Sequence, residues 1–220
     1  MEKNHKSKYS YSALLFYLII LISTFLLTSC IISKNTYSDK KFYIIGLTDE
    51  KQNKNTGPTQ NRKKNKSILK ISEVRIAYPF KSKNFIYRLD DLEFESDYYN
   101  EFLISPEDMF TDGLAKFLSE SDLFSHVFIK SGHIKEDYLL ETMISSLYGD
   151  YINKNNPKAV MEIDFIVLKK NSFQYEIFYN KRYKKEISIK KKSIVNLVNA
   201  WNTLFFEILY EFKESFKKEF

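Results

Sequence analysis

The feature that most limits how this chain can fold is an apolar stripe near its C-terminus. Ile194, Leu197, Val198, Trp201, Leu204, Phe205, Ile208, Leu209, Phe212 and Phe216 recur at three- and four-residue spacing over residues 192–217, the pattern of one broad helix face. A helix with so large an apolar face needs a second layer to cover it. A membrane surface is the other possible cover. However, the polar face carries Glu207, Glu211 and Glu214 beside its lysines, unlike the basic face of membrane-surface helices. The stripe therefore predicts a long core helix packed on a sheet or on another helix.

The chain supplies strands for such a sheet. Phe42–Leu47 is a compact β-prone run, and Ile68–Ile76 places Ile and Val on a two-residue period up to the stop at Pro79. Phe85–Leu89 and Leu92–Glu95 flank Asp90-Asp91, which predicts a hairpin or bend. Tyr138–Tyr151 and Ala159–Lys169 alternate in polarity around the turn Asn155-Asn156-Pro157. Phe173–Tyr179 and Tyr183–Ile189 predict a further pair about Asn180-Lys181-Arg182. A second helix is marked by Ser105 as N-cap, Pro106 at the first helical position, and Glu107 and Asp108 at the positive end of the dipole. Met109, Phe110, Leu114, Phe117 and Leu118 carry that helix to residue 120, and Leu123, Phe124, Val127 and Phe128 lead into a strand through Lys130. The expected architecture is one α+β domain, an antiparallel β-sheet with two α-helices packed on one face.

The opposite end of the chain is of a different kind. Lys3, Lys6 and Lys8 precede residues 13–27, fifteen uncharged positions reading ALLFYLIILISTFLL, and the run ends in Leu27-Thr28-Ser29-Cys30. A basic start, a short apolar stretch and a small-residue cleavage site describe a secretory signal peptide. A cysteine at the cleavage point makes it resemble a bacterial lipoprotein signal, cut between Ser29 and Cys30, with Cys30 receiving the lipid. The competing reading is a retained transmembrane helix, because residues 13–32 reach the ~20 residues that span a bilayer. Ile31 follows the cysteine instead of the aspartate associated with inner-membrane retention in enteric bacteria, so the expected address is the outer membrane, lipid-anchored and facing the periplasm. The expected divisions are a signal peptide over residues 1–29, a lipidated tether over 30–40 and a domain over 41–220.

Removing residues 1–29 leaves 191 residues with a net charge of +4, enough for one domain. Residues 48–67 contain no large apolar side chain and read as a flexible, solvated loop. Arg62-Lys63-Lys64-Asn65-Lys66 reads there as a solvated charge run, able to touch anionic headgroups at ~1 kcal/mol per basic residue. Export argues against a nucleic-acid partner. Cys30 is the sole cysteine, so the exported domain folds without disulfides.

Nothing in the sequence marks a catalytic, cofactor or metal site. His5 lies in the signal, and His126 and His133 stand seven apart without a third ligand nearby. There is no G-x-S-x-G and no phosphate-cradling glycine loop among only five glycines. Asp90, Asp91, Glu93 and Glu95 are the nearest carboxylate cluster, and a solvated turn accounts for them. The expectation is a protein that is not an enzyme.

The order of elements carries a resemblance. After the lipobox come Phe42 to Leu47, Ile71 to Ile76 ending near a proline, Tyr87 to Leu89, and the aromatic pair Tyr98-Tyr99 before the helix from Pro106. Ser119 or Ser121 through Phe124 to Val127, then Tyr138-Leu139-Leu140-Glu141, and Val198-Asn199-Ala200-Trp201 in the last helix complete the set. Over residues 25–217 this resembles the ABC-type transport auxiliary lipoproteins, the family that includes the paraquat-inducible intermembrane-transport lipoprotein. It departs from the expected pattern in having Phe102 where a tryptophan would stand. The resemblance implies a docking component of an ABC lipid transporter, with an MCE-domain protein as partner and no catalytic residues. An envelope assembly or pilot lipoprotein unrelated to lipid transport is the alternative.

Replacing Cys30 tests the signal reading. Cys30→Ala is expected to accumulate as an uncut precursor that takes up no labelled palmitate, read by gel mobility and autoradiography; processing to the wild-type size with label retained would refute it.

Overall fold

The computed structural model describes residues 10–27, 39–46, 66–130, 134–172, 174–190 and 193–220. It divides into residues 1–38 and 39–220. In the first unit the described part is helix α1 (Ser10–Leu27). At 1.5 Å per residue its 18 residues rise ~27 Å, short of the ~30 Å hydrocarbon layer. No helix among the described residues is long and apolar enough to cross a membrane.

The second unit is a mixed α+β fold. Its strands are β1 (Lys41–Tyr43), β2 (Ile68–Ile71), β3 (Arg75–Ile76), β4 (Asn84–Arg88), β5 (Phe94–Phe102), β6 (His126–Phe128), β7 (Tyr138–Asp150), β8 (Lys158–Asn171) and β9 (Gln174–Ser188). Helices α2 (Pro106–Glu120) and α3 (Ile194–Glu219) pack in its core.

Strands β7, β8 and β9 form the expected antiparallel meander. The other edge of β7 differs from the all-antiparallel expectation. It is shared end to end by β2, β3 and β4, all parallel to β7, with registers Leu69↔Tyr138, Arg75↔Met143 and Tyr87↔Gly149. β6 adds parallel outside β2. β5 pairs antiparallel outside β4, and β1 parallel outside β5. The sheet is thus mixed, and the α-helices among the described residues number three with α1. The Ile68–Ile76 run is broken rather than continuous, because the Val74 amide leaves the ladder and donates to the Thr111 hydroxyl on α2 at 2.9 Å.

A second correction concerns β9. Asn180-Lys181-Arg182 is extended strand, registered against Ile166, Phe165 and Asp164, and not a turn. Its charges are held by partners: Arg182 Nε lies 2.5 Å from Asp164 Oδ1, and the Lys181 ammonium donates to Ser215 Oγ at 3.2 Å. The reversal comes earlier, where Ser172 takes a φ of 50° between the paired Asn171 and Gln174. No glycine announces this turn.

The helices follow their sequence signals. The Ser105 hydroxyl accepts the Asp108 amide at 3.1 Å, capping α2 directly before Pro106. α3 lays its stripe across the sheet, where alternate residues of β7 and β8 (Leu140, Ile144, Leu147, Ile163, Phe165, Val167) are buried. Its rings form a seam: Trp201 meets Phe85 and Phe102 at 5.2 and 5.9 Å, and Phe212 stacks on Phe165 at 4.4 Å. Phe102, the departure from the family pattern, is itself a buried member of that seam. α2 joins it through Phe110 against Phe205 at 5.0 Å. There Gly46, at a φ of +82°, faces Gly113, where an added Cβ would stand 3.0 Å from the Phe205 ring. A side chain at either glycine would crowd the place where α2, α3 and the start of the domain converge.

Trp201 is fully buried, and its indole N–H donates to the Tyr148 carbonyl at 3.3 Å. Trp201→Ala is expected to cost ~3–5 kcal/mol, as for other large aromatic truncations in cores. Equilibrium denaturation in urea checks this.

Candidate interaction surface

Ser29 and Cys30, the expected cleavage and lipid-attachment residues, lie outside the described residues, as do His5, His133 and residues 47–65 of the expected loop. His126 is exposed on β6. Asp90, Asp91, Glu93 and Glu95 sit at the β4–β5 hairpin, closed by the Leu89 amide donating to the Glu93 carbonyl at 2.9 Å. The hollow there is lined by Asp90, Asp91, Leu92, Glu93 and Phe94 alone. Arg88 engages Asp91 at 2.9 Å and Asp150 at 3.6 Å. Among the described residues no group of three or more His, Cys, Asp or Glu is placed to hold a metal ion.

The sheet face away from α2 and α3 is laced with ion pairs. Glu162 lies 3.5 Å from Arg182 and 3.7 Å from Lys184, and Arg75 lies 3.8 Å from Glu141. Cross-strand pairs of this kind stabilise a wetted sheet face.

Titratable groups elsewhere are tied to neighbours in the same structural way. Glu136 accepts from Lys170 at 2.7 Å and from the Tyr175 hydroxyl at 2.5 Å. Those two bonds bring its carboxyl down to about 2. They link the segment before β7 to the β8–β9 hairpin. The Tyr179 and Tyr183 hydroxyls meet at 2.6 Å beneath α3, where burial and that hydrogen bond raise the Tyr179 pKa.

The most elaborate polar arrangement in the domain is centred on Asp97. Its carboxylate accepts four hydrogen bonds: from the Tyr87 hydroxyl at 2.5 Å, the amides of Tyr99 and Asn100 at 2.8 and 3.0 Å, and Asn100 Nδ2 at 2.8 Å. Burial pushes the Asp97 pKa up, but the donors outweigh it and hold the carboxyl below its ordinary range. The same contact, after burial, drives the Tyr87 hydroxyl far above its usual value. This knot gives β5 its shape. Ser96 pairs with Ile86 and Glu101 with Asn84, so four residues of β5 stand opposite Phe85 alone. A bulge of that kind re-aims side chains at a sheet edge.

What the bulge turns outward is Tyr98 and Tyr99, 68% and 47% exposed, with their rings edge to face at 5.2 Å. On the adjoining β1, Phe42 is 54% exposed. Lys40 joins them, with its ammonium 4.9 Å from the Tyr98 ring centre and 3.3 Å from Glu101 Oε2. Lys40, Phe42, Tyr98 and Tyr99 form an aromatic ledge at the outer edge of the sheet. From the sequence Phe42 was visible at the head of a β-prone run, and the Tyr98-Tyr99 pair through the family resemblance. Asp97 and Asn100 were missed, though an aspartate and an asparagine three apart inside a strand-like run are a signal for a side-chain-stabilised turn.

No protein-family model matches this chain, and no curated protein matches it at a significant level. Solved structures do. A protein of the DUF330 family from Xanthomonas campestris is 13% identical, with a TM-score of 0.60 over 79% of this chain and 90% of that one. An uncharacterized protein, also 13% identical, has a TM-score of 0.60 over 81% of this chain and 99% of that one. At such identity the likeness shows the fold.

The Glu136 cluster makes a pH prediction. Its folded pKa of about 2 lies below the ordinary 4.5, so its stabilisation is complete above the unfolded value and is lost as pH falls through the folded one. Glu136→Gln is expected to lower the Tm at neutral pH by about 2–4 °C. The gap from wild type should close between pH 4.5 and pH 2, as followed by circular dichroism.

Proposed function

We propose that this chain is an outer-membrane lipoprotein, anchored through Cys30 and facing the periplasm, that docks a partner without catalysing a reaction. On this reading the partner is an MCE-domain protein of an ABC lipid transporter, and the domain is its auxiliary component. The observation that carries this reading is the run Leu27-Thr28-Ser29-Cys30 ahead of an α+β domain whose elements follow the order quoted above. The lipobox ending at Cys30 and the family-like order of elements supply the address and the transport system. The perturbed carboxylates described above all have structural partners, which fits a scaffold.

The mature lipoprotein, tagged at its C-terminus and recovered from envelope extracts, is expected to bring down an MCE-domain protein by mass spectrometry. Consistent recovery of a secretin or another assembly component without any MCE-domain protein would establish the alternative, a pilot lipoprotein.

A further inference from the structure

We propose that the ledge of Lys40, Phe42, Tyr98 and Tyr99 is a membrane-contact surface, resting against the headgroup layer of the bilayer that holds the Cys30 acyl chains. The inference rests on the lipid-attachment reading and adds to it how the domain meets the membrane. Ten residues, 31–40, join Cys30 to the ledge. Fully extended they span at most ~33–36 Å. Lys40, where they end, packs on Tyr98 and Glu101. The ledge therefore includes the residue at which the tether meets the domain. A short tether also supplies an effective concentration in the ~mM range, so a surface of low intrinsic affinity is held in contact.

The chemistry fits a bilayer interface. Tyrosine rings favour the zone where one end is apolar and the other wet, and Tyr98, Tyr99 and Phe42 are all about half exposed or more. The charge is balanced: Lys40 and Lys41 stand with Asp39 and Glu101, and Glu101 is already paired to Lys40. Asp97 has its oxygens occupied by four donors. Contact then depends on ring insertion and not on anionic lipid. This separates the ledge from polybasic membrane sites, whose binding falls with salt. Two other exposed features fit a bilayer less well. The hairpin around Leu92 is ringed by Asp90, Asp91 and Glu93, and Arg182, Lys184 and Lys185 of β9 are engaged by Asp164, Glu162, Glu207 and Glu211.

Because Cys30 is the only cysteine and its thiol is acylated on this reading, an added cysteine can be labelled alone. Phe42→Cys and Tyr98→Cys, with Glu214→Cys on the exposed side of α3 as control, would carry an environment-sensitive NBD fluorophore. Each acylated protein is reconstituted into phosphatidylethanolamine–phosphatidylcholine vesicles containing brominated phospholipid. NBD at 42 and at 98 is expected to be blue-shifted and quenched severalfold more than at 214. The difference should persist in high salt and without phosphatidylglycerol, and should shrink at 42 when Tyr98 and Tyr99 are both changed to Ser. Equal quenching at all three positions, or quenching that requires phosphatidylglycerol, would overturn the proposal while an intact mass showing the acyl chains upholds the anchor. A mass without acyl chains would overturn the anchor reading and the proposal with it.

Discussion

The packing of α3 on the sheet is the interaction on which the rest of the domain depends. With no cysteine after Cys30, the domain must be held by burial, and burial is organised along this helix. Trp201 joins the β4–β5 hairpin to the core through Phe85 and Phe102, while Phe212 holds the middle of the meander through Phe165. Phe216 closes the far end, where it meets Tyr138 and Phe178. α2 packs on α3 through Phe110 against Phe205 and Phe117 against Phe206 and Tyr210. The β4–β5 hairpin and the β7–β9 meander thus meet the same helix.

What could be read from the sequence follows from which forces are local. α2 was legible because Ser105, Pro106 and the two acids after it act within one turn. α3, β7 and β8 were legible because each has one buried face, which stamps a period on the sequence. Parallel pairing along β7 left no such mark. Strands that short and that far apart in sequence carry no signal of direction, so a half-buried run looks alike whether its neighbour runs with it or against it. β9 was misread at Asn180-Lys181-Arg182 for a related reason: consecutive polar residues there sit in strand because partners on β8 and α3 hold them. Of the candidate site, Tyr98 and Tyr99 were visible as residues. Their exposure was not, since it follows from a carboxylate whose donors include Tyr87, ten positions away.

The polar chemistry of the domain divides between holding and presenting. Glu136, Glu162, Asp164 and Asp97 all hold: each carboxylate ties its own segment to a neighbouring one. The exposed rings of Phe42, Tyr98 and Tyr99 stand apart from these clusters, on β1 and β5. A substitution on the ledge should be separable from one in the core because Tyr98 and Tyr99 contribute to neither the seam nor the ladder of β7.

The parallel edge of β7 also imposes an order of assembly. β2, β3 and β4 are synthesised first, yet their hydrogen-bonding partner begins at Tyr138, 69 residues after its register mate Leu69. The meander β7–β9 closes through short turns and α3 follows at once, so the C-terminal half can form early by local contacts. β2 and β3 cannot. Emerging from a ribosome or a translocon with the amino end foremost, they lack their β7 ladder until Tyr138 arrives, past the middle of the chain. The interval in which this protein most needs a chaperone is therefore written into its topology, and a chain cut short anywhere before β7 would never leave it.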